Sequence, residues 1–415
     1  MSLPNTAFIA LWLPKPSETF VFREAVYLGT MGLPLVVWSH YGPYPKDLSP
    51  EMQAYDKATH HGVRHLKHLF RDHAFWRKRR PKTYWRLMRQ VLGQWYGTME
   101  RQGENWWGLH MGFTFGRYAL EQGIEHIHSC WAGGAATSAM VASELTGVPF
   151  SFAARAGDIH PPEPALAKKL EKASFVRVNN AFNISYIQSF ADTLDDSERH
   201  KAKVQLAYNA LTLGHGSEAP VVMQPPYNLL AVGRFVATKG YDYLLKACKL
   251  LKDRGIDVHL TLAGDGREGP GLKKLAGELG LADTVSFPGF VTHERIAELM
   301  STADVFVMPS MVNKTGGRDG IPNVIMEAMS YTVPVVATDV AGIKEVVRDG
   351  ETGRLIQEKN ETQLADAIAD TISDRDRARQ WAVNGRDLVY ELFDQERNCQ
   401  HLIDLFAAHS GAATV

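Results

Sequence analysis

Asp319 and Glu327 are the two carboxylates around which a reaction is most easily built, because of what lies between them. They sit in RDGIPNVIMEAM, Arg318 to Met329, which follows an apolar run from Asp304 to Met308, then Pro309, Ser310 and a glycine-bearing loop. Pro322 stands where a helix would begin, a position that suits its fixed φ and missing N–H. Such a start would turn the N–H groups of Asn323, Val324 and Ile325 towards the loop Gly320-Ile321, with the positive end of the helix dipole behind them. That is an anion site, most naturally for phosphate. A pure anion site gains nothing from a carboxylate at each end. A phosphate flanked by hydroxyl-rich groups does, since carboxylates accept hydrogen bonds from sugar hydroxyls. The plainer alternative is a helix with an acidic first turn.

A second group supplies positive charge. The loop Gly233 to Gly240 follows an apolar run, Asn228 to Val232, and places Arg234 five residues before Lys239 around a strand-to-helix turn. Both could reach one diphosphate, Lys239 as a point charge and Arg234 as a planar fork. Gly264-Asp265-Gly266, after the run Val258 to Ala263, lets backbone approach a ligand closely. In the first half, the run Pro149 to Ala153 empties into Arg155-Ala156-Gly157-Asp158. Arg155 has two readings: a structural residue tied to Asp158, or a guanidinium facing a cleft to bind a carboxylate or phosphate. The second implies an anionic ligand, because an unpaired charge beside a neutral one is desolvated without compensation.

These residues need a scaffold, and the pattern of the chain describes one. Strand-like runs at 7–13, 33–39, 127–131, 149–153, 175–179, 228–232, 258–263, 285–287, 304–308 and 333–337 alternate with helical stretches, the βα order of parallel sheets. Ser17 is the expected N-cap of a helix over 18–31, and one long helical stretch is expected over 384–406. At 415 residues the chain can bury two cores. The glycine- and proline-bearing stretch before Asn228 divides it into a first domain, 1–212, a linker, 213–227, a second domain, 228–390, and a C-terminal helix, 391–415. A net charge of −1 excludes a generic polyanion binder. Cys130, Cys248 and Cys399 are odd in number and lack metal-ligand spacing, as expected of reduced thiols in a cytosolic protein. The opening MSLPNTAFIALWLP lacks a basic segment and a long enough apolar run for a signal peptide. No run approaches the length of a membrane span, so membrane contact would be peripheral.

Residues 60–96 depart from the rest. Lysines and arginines stand against one acid, Asp72, and alternate with Phe70, Phe75, Trp76, Tyr84, Trp85 and Trp95. Such a mixture suits an anionic membrane surface, a solvated face with some rings turned to the core, or single-stranded nucleic acid. The membrane is the expectation; nothing else in the chain supports nucleic acid.

The paired acids Asp319 and Glu327, the latter followed by Ala328, resemble the motif of the retaining GT-B glycosyltransferases of family 4, and the pair Arg234 and Lys239 matches that family too. PKPSETFVFRE, Pro14 to Glu24, resembles the first turn of its exopolysaccharide-type members, and DGETGRLI, Asp349 to Ile356, recurs in it. Tyr208-Asn209-Ala210 resembles its hinge tripeptide. The likeness is close from Leu229 to Ile356 and loose in the first domain. It implies two Rossmann-like domains facing a central cleft, with the C-terminal helix crossing back to the first. It implies a donor, a nucleotide diphosphate sugar and by expectation a UDP-sugar, on the second domain. There Asp319 contacts the sugar, Glu327 the ribose, backbone near Val291 the base, and Gly264, Gly320, Ile321, Pro322 and Asn323 line the site. Arg234 and Lys239 stabilise the departing diphosphate, so no metal or other cofactor is required. Glu18, Arg155 and Asp158 fall to the acceptor, a lipid or lipid-linked saccharide at the inner face of a membrane. The sequence departs from the family in having Asp319 for its usual Glu and Arg155 for its usual His. A sugar-nucleotide epimerase or phosphorylase of the same architecture, or an inactive membrane-binding scaffold, are the rival readings.

Overall fold

The computed structural model describes residues 3–42, 48–62, 67–211, 213–214 and 223–414, apart from the side chains of Ser17 and His293. Most of the expected linker, and residues 63–66 of the basic segment, lie outside these. The chain divides into two compact units, Met1–Leu211 with Gln395–Val415, and Thr212–Asp394.

Unit 1 is built on a parallel sheet whose strands, among the described residues, are β1 (Thr6–Ala10), β2 (Leu35–Ser39), β3 (His60–His61), β4 (His126–Ser129), β5 (Phe150–Ala154), β6 (Phe175–Val178) and β7 (Val204–Leu206), in the order β3-β2-β1-β4-β5-β6-β7. The register pairs Ala7 with Val36 on one side and Ile127 on the other. Helices cover both faces, so β1, TAFIA, is buried at every position and has no polar/apolar alternation. Unit 2 repeats the plan with β8 (Tyr227–Val232), β9 (Val258–Ala263), β10 (Val285–Gly289), β11 (Val305–Met308), β12 (Val335–Thr338) and β13 (Arg354–Ile356), in the order β10-β9-β8-β11-β12-β13. In each unit the strand order reverses beside the first strand, at β1/β4 and at β8/β11. Ligands of open α/β sheets bind outside the carboxyl ends of the strands at such a point. That places the loops 11–18 and 130–133 in unit 1, and 233–240 and 309–322 in unit 2, where chemistry is possible.

Three local expectations need correction. A 3-10 turn, Pro16–Glu18, precedes the first helix, Thr19–Thr30, so the residue before the helix is Glu18 and not Ser17. The long C-terminal helix is two, Arg375–Leu392 and Gln395–Ala408, broken at Phe393-Asp394. Finally, Met99–Glu121 is a 23-residue helix with no counterpart in the sequence reading. It is apolar around much of its girth, so no single stripe marks it, and Gly108, Gly112 and Gly116 recur every fourth residue along one side. A Cβ on Gly108 would strike the Gly134 carbonyl, and one on Gly112 would lie 2.6 Å from Val141 Cβ. The glycines let this helix lie directly on its neighbour, Gly134–Thr146.

Unit 1 also buries a set of imidazoles. Ser151 Oγ lies 2.8 Å from both His126 Nε2 and His128 Nδ1, and His40 Nε2 meets Ser138 Oγ at 2.7 Å. His73 bridges Tyr84 and His110, each at 3.0 Å. Burial lowers His40 and His126 from 6.5 to about 3, His73 to about 4, His110 less, and His128 well below its usual value. The folded unit therefore excludes protons that the unfolded chain binds, and stability falls as pH drops from about 6.5 towards 4. His40 and His126, fully buried, each contribute about 1.4 kcal/mol per pH unit in that window. Asp158 and Glu104, whose carboxyl pKa values burial raises, act in the opposite direction but are outnumbered. Among the described side chains unit 2 has no buried histidine. Hydrogen exchange at pH 5 against pH 7.5, corrected for intrinsic rates, should show protection lost in β1, β4 and β5 while β8 and β11 keep theirs. Equal loss in both units would exclude this cause.

Candidate active site

In unit 2 the loops after β8, β9 and β11 converge because glycines remove the atoms that would hold them apart. A Cβ on Gly264 would collide with the Gly233 carbonyl, and one on Gly240, at φ +61°, with the Pro309 carbonyl. Gly264 N–H donates to Gly289 O at 2.8 Å, and Met311 N–H to Thr238 O at 2.8 Å. Lys239 is thereby buried beside Gly233 and lies 3.1 Å from Asp319 Oδ2, which also accepts a hydrogen bond from Ser310 Oγ at 2.8 Å. Thr338 Oγ1 holds the Ser310 carbonyl at 2.5 Å, and Glu358 accepts the Val312 N–H at 2.6 Å. Asn313 Oδ1 fixes the glycine-bearing loop from inside, accepting from the N–H groups of Thr315 and Gly317. Lys239, Asp319, Gly264 and the loop before Pro322 are thus one constellation.

Arg234 differs from Lys239. Its side chain is exposed and makes no ion pair among the described residues, so its charge is open to solvent. The helix after the loop is Asn323–Ser330, with Pro322 in the flanking N-cap position. Ile325 N–H is already used, donating to Pro322 O at 2.9 Å, which removes one of the three donors expected there. Those of Asn323 and Val324 remain at the helix start. Glu327 is half-buried one turn further on. Val291 is half-buried beside the fully protruding Phe290. Sequence reasoning missed Ser310, and it missed a recess of about 280 Å³ lined by Phe235, Gly264, Asp265, Lys273, Phe287 and Gly289. Tyr241 was missed too: burial, with Asp319 close by, raises its phenol pKa, and its hydroxyl lies unpartnered under Gly233.

In unit 1, Glu18 and Asp158 come together around the loop after β4. Glu18 Oε2 accepts from Trp131 Nε1 at 3.1 Å, and Lys15 pairs with Glu18 Oε1 at 2.5 Å. Asp158 accepts the N–H groups of Ala132 and of Arg155, the latter at 3.1 Å, and burial pushes its carboxyl up to about 7. Arg155 follows the structural reading, tied to Asp158 through its backbone N–H, although its guanidinium goes elsewhere. Its guanidinium is 3% exposed and points inward to Glu24 (3.2 Å), Asn209 Oδ1 (2.6 Å) and the Cys130 carbonyl (3.2 Å). Phe20 lies 4.9 Å from its centre. Arg177 joins from β6, 2.6 Å from the other Glu24 oxygen, and donates to the carbonyls of Ala207 and Tyr208. A charge so committed is not available to an anionic sugar, and the expectation of an anionic substrate based on Arg155 is withdrawn. The spacing could not show this, because Glu24 lies 131 residues away.

The basic segment also divides. Trp76 and Tyr84 are core residues, packed with Leu87, Leu109 and Phe113, and Trp76 Nε1 donates to Phe113 O at 2.8 Å. Phe70, Trp85 and Trp95 remain outside, 85%, 50% and 54% exposed. On the helix Pro81–Leu92, Lys82, Trp85, Arg89 and Leu92 form an outward stripe at helical spacing, opposite the inward Tyr84, Leu87 and Val91. No described helix is long and apolar enough to cross a membrane.

Comparison with known proteins gives this geometry a context. Residues 220–388 match the family model described as glycosyl transferases group 1. The alpha-D-kanosaminyltransferase of Streptomyces kanamyceticus is 32% identical over 205 residues, 49% of this chain and 48% of that protein. The putative colanic acid biosynthesis glycosyltransferase WcaL of Salmonella typhimurium is 31% identical over 181 residues, 43% of this chain and 45% of that protein. The chain spans about half the length of the curated relatives it matches. The crystal structure of Anabaena Alr3699/HepE in complex with UDP and glucose aligns over 98% of this chain and 100% of that one, with a TM-score of 0.66 at 18% identity. Residues 220–388 therefore form a group 1 glycosyltransferase domain, and the two parallel-sheet units that make up the chain have the GT-B fold.

Proposed function

We propose that this protein is a retaining, metal-independent glycosyltransferase that moves a sugar from a UDP-sugar to a lipid-linked acceptor at a cytoplasmic membrane face. The observation that carries the reading is the constellation of Arg234, Lys239 and Asp319 at the carboxyl ends of β8 and β11. Departure of a nucleoside diphosphate leaves negative charge on its oxygens, and a cation fixed beforehand, as Lys239 is, stabilises that charge without reorganising. Arg234 offers a guanidinium in the open. Lys239 is positioned by its ion pair with Asp319. A diphosphate arriving at Lys239 competes with the Asp319 carboxylate, which is then free to accept from sugar hydroxyls. The N–H groups of Asn323 and Val324 add two donors, and Glu327 would take the ribose. The recess between Phe235 and Phe287, with Gly264 in its lining, suits a flat base, and Val291 follows two residues after Gly289 of that lining. UDP in a similar fold supports that nucleotide.

A thermal-shift panel of UDP-, GDP- and ADP-sugars in EDTA tests this. UDP-sugars are expected to raise the melting temperature, and product analysis should then show glycoside with the donor's anomeric configuration. Stabilisation by GDP-sugars alone would reassign the nucleotide, and free epimerised sugar would replace transfer with epimerisation.

The exposed stripe and the neighbouring Arg77, Lys78 and Arg79 form the surface that would meet anionic lipid, the rings at headgroup depth and the cations over the charge. Each such cation is worth about 1 kcal/mol. Replacing Arg77, Lys78, Arg79 and Lys82 with Ser should therefore lower flotation with phosphatidylglycerol vesicles by about a thousandfold in partition coefficient. Unaltered flotation would leave these residues as a solvated face.

A further inference from the structure

The carboxyl end of the unit 1 sheet carries a set of rings that no part of the donor chemistry uses. Trp12 follows β1 and Tyr41 follows β2, and their ring centroids lie 4.9 Å apart. Trp107, from the glycine-packed helix Met99–Glu121, lies parallel to Tyr41 within 6°, centroids 6.4 Å apart. All three rings are partly exposed. Trp107 Nε1–H is buried without a hydrogen-bond partner.

Carboxylates adjoin the rings. Glu104 stands one turn before Trp107, and a Cβ on Gly133 would lie 3.8 Å from its Oε2. Its charge raises the Tyr41 phenol pKa, after burial. The loop Ala132-Gly133 then connects Glu104 to Asp158, which accepts the Ala132 N–H. Lys169 pins that loop by donating to the carbonyls of Ala132 and Gly133 at 2.7 Å each, and its charge is matched by Glu163. Trp131, the residue before Ala132, donates to Glu18.

We infer that Trp12, Tyr41 and Trp107, with Glu104, form a subsite for a neutral saccharide ring, so that the acceptor presents a sugar here and not a bare phospholipid headgroup. The inference deepens the transferase reading and rests on it for the word acceptor. Three features of the site support it. The C–H face of a pyranose is weakly positive and complements the negative face of an aromatic ring. A carboxylate such as Glu104 accepts from its hydroxyls. A phosphate headgroup would instead meet the Glu104 carboxylate, with Lys169 already bound and Lys15 paired to Glu18.

Binding is tested directly, without donor, on the full chain. Neutral gluco-, manno- and galacto-oligosaccharides are titrated by saturation-transfer NMR with irradiation of the aromatic protons. At least one series is expected to receive saturation on the C–H groups of one ring face. Trp12→Leu and Tyr41→Leu, which keep bulk but remove the flat face, should weaken Kd by about tenfold or more, and Trp12→Phe by no more than about threefold. Leucine variants that bind like the wild type overturn the subsite, as does absence of saturation with every neutral series while glycerophosphate headgroups bind. Oligosaccharide binding by a chain that ignores every nucleotide sugar would uphold the subsite and overturn the transferase reading.

Discussion

Lys239→Met is expected to lower kcat about 10²- to 10³-fold while the protein remains folded, the loss typical of removing one preorganised group that stabilises charge developing in the transition state. Methionine fills the volume beside Gly233, and Asp319 retains Ser310 as a hydrogen-bond donor, so the loop after β11 keeps its anchor. The loss should fall mainly on kcat, because charge builds on the diphosphate as the sugar leaves. Arg234→Met should raise donor KM more than Lys239→Met does, since an exposed guanidinium meets the diphosphate on arrival. Turnover of Lys239→Met within about threefold of wild type at saturating donor would remove Lys239 from the chemistry.

Glu24→Ala is expected to be the most damaging single change to unit 1. Glu24 is buried and its two oxygens are shared by Arg155 and Arg177, so its removal leaves two guanidiniums in the core without a counter-charge. Breaking a buried pair costs about 3–5 kcal/mol. At about 2–4 °C per kcal/mol for a unit of this size, the melting temperature should drop by roughly 6–20 °C. Glu24→Gln should recover part of that, because an amide oxygen still accepts from one arginine. Arg155→Met combined with Glu24→Ala should be milder than Glu24→Ala alone, a coupling that a double-mutant cycle reads directly. Additive losses would mean that the two groups do not depend on each other.

The contrast between these two clusters explains what the sequence could reveal. Arg234, Lys239 and Asp319 occupy short loops at strand ends, and Glu327 the helix that follows one of them, where local spacing decides which groups converge, and strand order follows from the βα alternation. The Arg155 network is assembled from a helix at Glu24, two strands and the segment at Asn209, and nothing in the local pattern of any one of them announces the others. The same holds for the aromatic subsite. Trp12 and Tyr41 could be placed after their strands, but Glu104 and Trp107 belong to a helix whose apolar residues face neighbours on more than one side. Its signal was the four-residue glycine spacing, which marks close packing and not amphipathicity. Within the basic segment, composition alone could not separate Trp76, packed against Phe113, from Trp85, which faces outward one turn into the next helix.

The helix Gln395–Ala408 packs Cys399, Leu402, Ile403 and Phe406 against Phe8, Phe22 and Phe175, although its residues follow all of unit 2 in the chain. During synthesis, unit 2 emerges as one continuous stretch and can close its core while the ribosome is still at work. Unit 1 cannot: the face of its sheet that bears Phe8 and Phe175 stays open to solvent until Gln395–Ala408, which follows unit 2, has been translated. Unit 1, begun first, is therefore completed only after unit 2 has been translated, and for that interval it presents the apolar surface that chaperones recognise.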